Sequence, residues 1–376
     1  MGIVLAFFAN YGASRHISDS SYDQWMVPTS LHLMFSGIIF ILMFFQCESP
    51  RYYIKQGKPE KAAEVLGYIR QQDPQGEYIS GHISVMQASY EEELEATRGA
   101  GWLGIVKEML FDKSNLYRLY LTTSIQILSQ WSGAGSITLY APDLFALVGV
   151  EGEEEGLLIT AVFGIIKLVA AVSCALFLVD VIGRKRSLIV GITLQTIAMV
   201  YVGAFLTTVP RLGVDDTYEM PHSKDGASKG AIAMIYISGF GWALGWNSMQ
   251  YLLTAELFPL RVRALATSWA MTMHFVNQYG NSRAVPHMLL SVADGGISPK
   301  GTFWCFAAVT FVGGVWVWFF VPETGGRSLE SMNQLFELPW YRIGLYGNKD
   351  ADEKANQLAE KTENADAEHK DRTEQV

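Results

Sequence analysis

Five stretches, Val27–Gln46, Leu157–Val179, Leu188–Val209, Ala231–Leu253 and Thr302–Val321, are almost free of charge over their whole length. Each reaches the roughly 20 residues that a helix needs to cross a hydrocarbon core about 30 Å thick. Leu116–Val148 and Ala264–Leu290 reach it too, with glycines and a few polar residues interspersed. In lipid every backbone polar group must be satisfied within the protein, so these runs are expected as helices. The expected fold class is all-α, a polytopic transmembrane bundle with seven complete spans. An eighth apolar run, GIVLAFFANYG near the start, is too short to span alone. It also lacks the basic flank and cleavage site of a signal peptide. It reads as the outer half of a helix whose beginning is missing.

Lysine and arginine placement sets the orientation. The loop from Cys47 to Asn115 carries eight of them, and Asp180–Ser187 carries three, while Gly149–Gly156 carries none. The basic loops are therefore expected on the cytoplasmic side, and the C-terminal tail falls with them. Within the long loop, GKPEKAAEVLGYIR reads as a short amphipathic helix against the membrane or the spans. Pro59 suits a first helical position, and Ala62, Val65, Leu66 and Ile69 share a face. Cys47, Cys174 and Cys305 are too widely spaced for a disulfide framework or a metal site. No glycine-rich phosphate loop, histidine–carboxylate cluster or nucleophile elbow occurs. The sequence thus gives no basis for an enzyme, a cofactor or a nucleic-acid partner.

Charge returns at the inner ends of the spans, always as acid with base. CESPRYY carries Glu48 and Arg51, and DVIGRKR carries Asp180, Arg184, Lys185 and Arg186. AELFPLRVRA carries Glu256 and Arg263, and VPETGGRSLES carries Glu323 and Arg327. Gly183 permits a tight turn between two antiparallel spans, and the adjacent bases can anchor at an anionic leaflet. Water-exposed ion pairs are worth little, but a set shielded at a bundle mouth can form or break as a unit.

These four segments resemble the sugar-porter branch of the major facilitator superfamily, whose patterns are P-E-S-P-R, D-x-x-G-R-R, E-I-F-P-x-x-x-R and P-E-T-K-G-x-x-L-E. The resemblance covers about residues 1–337 and implies a chain lacking the first four of twelve helices. Residues 1–46 would then be a remnant of the N-terminal half, 47–115 a cytoplasmic loop, 116–321 the C-terminal six-helix half, and 322–376 a partly disordered cytoplasmic tail. It also implies transport of a monosaccharide or related polyol by rocking of two halves about a central site. Proton symport and a plasma-membrane location are inherited expectations. Glu256 and Arg184 become the core of a cytoplasmic gate, supported by Asp180, Gly183, Lys185, Arg263, Glu323, Glu48, Arg51 and Arg327.

The family's seventh helix reads close to Q-Q-x-S-G-x-N-x-x-x-Y-Y-x-P, and here the stretch is SQWSGAGSITLYAP. Gln130, Ser132, Gly133, Tyr140 and Pro142 hold their places. Ser129, Gly135 and Leu139 replace a glutamine, an asparagine and a tyrosine. Losing two hydroxyl-reading amides should weaken hexose recognition. Tyr251 stands at the family's tryptophan position, preceded by Asn247 and Gln250. His274, Asn277, Gln278 and Asn281 recur on one helical face, lining a cavity or bonding between helices. Lys167 lies in mid-span and Arg283 towards an outer end, and a cation in mid-membrane is a functional candidate by default. The substrate set is therefore Gln130, Tyr140, Asn247, Gln250, Tyr251, His274, Gln278 and Lys167. A quinate-like polyol acid is the alternative cargo, resembling fungal quinate-permease-like members. A non-transporting nutrient sensor and an inactive fragment also stand as alternatives, since six helices plus about one and a half cannot build a two-sided rocker.

Overall fold

The computed structural model describes residues 2–18, 21–97, 101–150, 152–209, 221–325, 332 and 335–346. Among them every regular element is helical. α1 (Gly2–His16) and α2 (Asp23–Met43) come first, and α2 buries none of its residues. Four helices are long and apolar enough to cross a membrane by length and composition: α2 and the helical rods Glu154–Leu176, Arg184–Thr208 and Ser298–Phe320.

The long polar loop folds on itself. α3 (Pro50–Lys55), α4 (Pro59–Arg70) and α5 (Glu77–Thr97) close around Ile54, Ala62, Leu66, Ile79 and Ile83. Pro59 opens α4 as expected, but Ile69 points outwards, and the Ala62–Leu66 face meets α3 and α5 rather than a span. α6 (Trp102–Phe111) then leads to the bundle, where Glu108 Oε2 lies 3.1 Å from Arg261 Nε.

Two of the expected spans are interrupted. The first runs as α7 (Lys113–Trp131), α8 (Ala134–Leu139) and α9 (Ala141–Ala146), broken at Ser132–Gly133. After α10 (Glu153–Ser173), a single π turn at Cys174–Leu178 leads into α11 (Val179–Ile182). α12 (Arg184–Thr208) follows, and then the second interrupted span, α13 (Asp225–Leu244) and α14 (Trp246–Leu257), broken at Gly245. α15 (Leu260–Leu289) and α16 (Ser298–Phe320) complete the bundle.

A break inside a membrane is tolerated only where the freed backbone groups find partners. Gln195 Nε2 from α12 donates to Ser132 O at 2.9 Å. Leu244 O, beside the second break, accepts from Ser187 Oγ at 3.0 Å and lies 3.5 Å from Cys174 Sγ. α12 and α13 approach so closely that a Cβ on Gly191 would collide with the backbone of Gly241 and Gly245. Only glycine fits there. The core divides into two apolar clusters along the bundle. One, around Leu188, Trp246, Leu253 and Phe258, lies towards the charged motifs. The other, around Phe145, Phe163, Phe303 and Phe306, lies towards the opposite end. Gln126 to Ser136 on α7 and α8 fall between them in sequence, and there the polar side chains gather.

Candidate functional site

At the charged end, Gly183 takes a φ of 93°, where an added Cβ would also meet the Glu323 carboxylate. That carboxylate sits on the first turn of α12. Its Oε1 accepts from the Arg184 N–H at 2.7 Å and its Oε2 from the Lys185 N–H at 3.2 Å. Two otherwise unpartnered helix donors are thereby satisfied, and the negative charge faces the positive pole of the helix. The Arg184 guanidinium reaches across to Glu256 on α14, with Nη2–Oε1 at 3.2 Å. Thr324 Oγ1 donates to the other Glu256 oxygen at 2.7 Å. Three segments distant in sequence thus share two carboxylates.

The structure does not bring every expected member here. Glu48 and Arg51 are exposed and form no ion pair with this cluster among the described residues. Glu48 precedes α3 and Arg51 lies on it, and α3 packs on α4 and α5 instead. Arg263 turns back to donate to Phe258 O through Nε and Nη2, at 3.1 and 2.9 Å. It braces the loop between α14 and α15 rather than meeting Glu256. Lys185 does not reach outwards either: its Nζ donates to Trp318 O at 2.8 Å and Gly344 O at 2.7 Å. The Asp180 side chain and all of Arg327 lie outside the described residues.

Halfway along the bundle is a cavity of about 310 Å³, at the lower end of the size range of small-molecule sites. Gln130, Gln250, Tyr251, His274, Gln278 and Lys167 line it as the sequence suggested. Exposed Leu139, Tyr251 and Gln278 mark its mouth, and Ile3, Ala6 and Phe7 of α1 close one wall. Phe7 can approach because Gly164 of α10 faces it.

His274 is the hub. Its Nδ1 lies 2.9 Å from Gln126 Oε1 and 3.1 Å from Gln130 Nε2, and its Nε2 lies 3.3 Å from Tyr251 OH and 3.4 Å from Gln130 Nε2. A neutral imidazole offers one donor and one acceptor nitrogen to these three groups. Ser129, standing where the family has glutamine, donates to Gln250 Oε1 at 2.6 Å and so orients an amide on the facing helix. Asn281 is fully engaged with protein: its Nδ2 donates to Gln130 O and its Oδ1 accepts from Ser136 Oγ. Asn277 accepts from Trp131 Nε1 at 3.1 Å. The single face of α15 therefore puts Gln278, His274 and Asn281 at the cavity, Asn281 also bonding between helices, and leaves Asn277 as an interhelical tie.

Two expected residues stand apart. Tyr140 donates to Ser282 O at 2.8 Å and packs against the outer apolar cluster. Asn247 is half-buried in the first turn of α14, one turn before Gln250 and Tyr251, and does not line the cavity. Gln126, Thr138, Ser136 and Trp242 belong to the site or its support and were not singled out from the sequence. Gln126 was within reach of that reading, since it lies one turn before Gln130 on α7. Arg283 is exposed and does not line the cavity.

A helical membrane bundle with paired charges at one end and an amide-lined cavity at half depth has the form of a solute carrier. The model of the family described as "Sugar (and other) transporter" matches residues 1–336, and the chain belongs to that family. A probable quinate permease of Aspergillus niger is 29% identical over 337 residues, which are 90% of this chain and 60% of that protein. A quinate permease of Neurospora terricola is 27% identical over 338 residues, covering 90% and 61%. The chain thus spans about three fifths of the length of these curated relatives. Among solved structures, the proton:xylose symporter XylE bound to 6-bromo-6-deoxy-D-glucose has a TM-score of 0.64 at 23% identity, covering 88% of this chain and 64% of the other. The inward-open xylose transporter XylE from E. coli has a TM-score of 0.63 at 20% identity, covering 88% and 62%. These structures share the fold.

Proposed function

We propose that this protein takes part in carrying a small polyhydroxylated solute, a monosaccharide or a related polyol, across a membrane by alternating access. The observation that carries the reading is the amide-lined cavity at half depth, with the Arg184–Glu256–Glu323 cluster at one end of the same bundle. Amide donors and acceptors from α7, α14 and α15 converge there, the arrangement suited to hydroxyl groups. The charged cluster acts as a latch, shielded enough to hold one end closed and made of contacts that release together. The bias of basic residues supports a cytoplasmic position for that end and for the C-terminal tail, and the membrane is read as the plasma membrane. The two related names point to sugars, with proton coupling, and to quinate, and both cargoes are polyols.

The protein reconstituted in sealed vesicles should take up a labelled polyol saturably, competed by excess unlabelled substrate. Collapse of an imposed proton gradient should lower accumulation if protons are co-carried. Uptake no faster than in empty vesicles for both xylose and quinate would sink the transport reading.

A further inference from the structure

Among the described residues, the cavity is lined by one formal cation, Lys167, and by no aspartate or glutamate. Lys167 is fourteen residues from the start of α10 at Glu153 and fifteen from the end of α11 at Ile182, the middle of the rod. It is 6% exposed, and what it exposes is the cavity. Its Nζ donates to Thr138 Oγ1 at 2.6 Å. The Thr138 hydroxyl passes its own proton to Ala134 O at 2.8 Å, so it is fixed as an acceptor. The ammonium also lies 4.1 Å from the centroid of the Trp242 ring and 5.5 Å from that of Phe163. These contacts soften the cost of the charge but do not neutralise it. An ammonium has three donors, and Thr138 uses one.

No aspartate or glutamate lines the cavity, and Lys167 forms no ion pair among the described residues. Elsewhere in this bundle basic side chains are placed differently. Arg184 meets a carboxylate, Lys185 meets two carbonyls, and Arg283 is exposed. A cation kept at mid-membrane is costly, and here its free donors face the one space that a solute would enter.

We propose that the Lys167 ammonium, positioned by Thr138 and Trp242, is the carboxylate-binding point of the cavity, and that the cargo is a polyhydroxylated monocarboxylate. Gln130, Gln250 and Gln278 then read its hydroxyls. This inference rests on the transport reading above and deepens it. A single positive charge matches a monocarboxylate better than a phosphate monoester, which would bring nearly two negative charges into the membrane. Because Thr138 stands on α8, after the break, and Lys167 on α10, the carboxylate-binding point is set where these two helices already meet.

The test compares quinate, a polyhydroxylated cyclohexane carboxylate, with its neutral carboxamide on the purified protein in nanodiscs, measuring each affinity by calorimetry. The unaltered protein should bind quinate at least tenfold more tightly than the amide. In Lys167→Met that ratio should fall towards one, and in Lys167→Arg a part of it should return. Size-exclusion profiles and melting curves show whether each variant folds. The ratio in the unaltered protein stands whether or not they do. Equal loss of both ligands in a folded Lys167→Met protein would mean a structural lysine and overturn the proposal. Amide binding as tight as quinate binding would overturn it while leaving transport of neutral polyols intact. Binding of neither, together with no uptake of xylose, would overturn both readings.

Discussion

Arg184 meets a carboxylate from a distant helix, and Glu323 spends its charge on two backbone donors of α12. Some way along the same bundle, Lys167 meets a threonine hydroxyl and two aromatic faces. Both places put charge where water is scarce. At the end of the bundle Arg184, Lys185, Glu256 and Glu323 each have a protein partner, and their worth is structural or mechanical. At half depth the partner is left to come from outside. Pairing therefore separates a charge that holds the protein together from one that waits for a ligand.

The two regions can be driven apart experimentally. The largest effect is expected from Glu256→Gln, which keeps the shape but weakens charge-assisted bonds to Arg184 and Thr324. Such bonds are worth about 1.5–3 kcal/mol each, so vesicle turnover should fall about tenfold or more, while quinate or xylose affinity changes little. Normal turnover would remove Glu256 from the latch. Glu323→Ala should lower stability by about 2 kcal/mol, read as a melting shift in detergent, because a helix cap and its charge go together. An unchanged melting temperature would mean that the cap adds nothing. Lys167→Met should move stability the other way, raising it by about 1 kcal/mol as an uncompensated charge leaves the membrane interior. A clear loss of stability would erase the contrast between the regions. The smallest effect on turnover is expected from Arg263→Gln, which gives up the paired bonds to Phe258 O and costs about 1 kcal/mol of stability. Its turnover should stay within about twofold of the unaltered protein, on the premise that a tenfold change needs about 1.4 kcal/mol at the latch itself. A stall like that of Glu256→Gln would place Arg263 in the latch after all.

The apolar rods and the charged motifs were legible from sequence because length, apolarity and the residues within each motif are local properties, although the motif with Glu48 and Arg51 does not join the other three. The face of α15 was legible for the same reason, since His274 and Gln278 repeat at helical spacing on an unbroken helix. What failed was depth along a helix. Asn247 was placed with Gln250 and Tyr251, one turn further along the same helix, and those two line the cavity while it does not. Long-range pairing was equally hidden. Nothing near Glu323 announces that it will cap a helix starting at Arg184, and nothing near Arg263 says that its own loop carbonyl will outbid Glu256. Ser129 looked like a loss, and only the facing helix shows that it orients Gln250.

A broken helix in a carrier invites the picture of a hinge. Here each break is bolted from the side: Gln195 of α12 holds the Ser132 carbonyl, and Ser187 of α12 holds that of Leu244. One helix thus clasps both joints, and the same helix is capped by Glu323 at its charged end. In mechanical terms α12 is a crankshaft. Neither joint can flex alone without tearing a buried hydrogen bond, so whatever moves α12 moves both sides of the cavity in the same stroke.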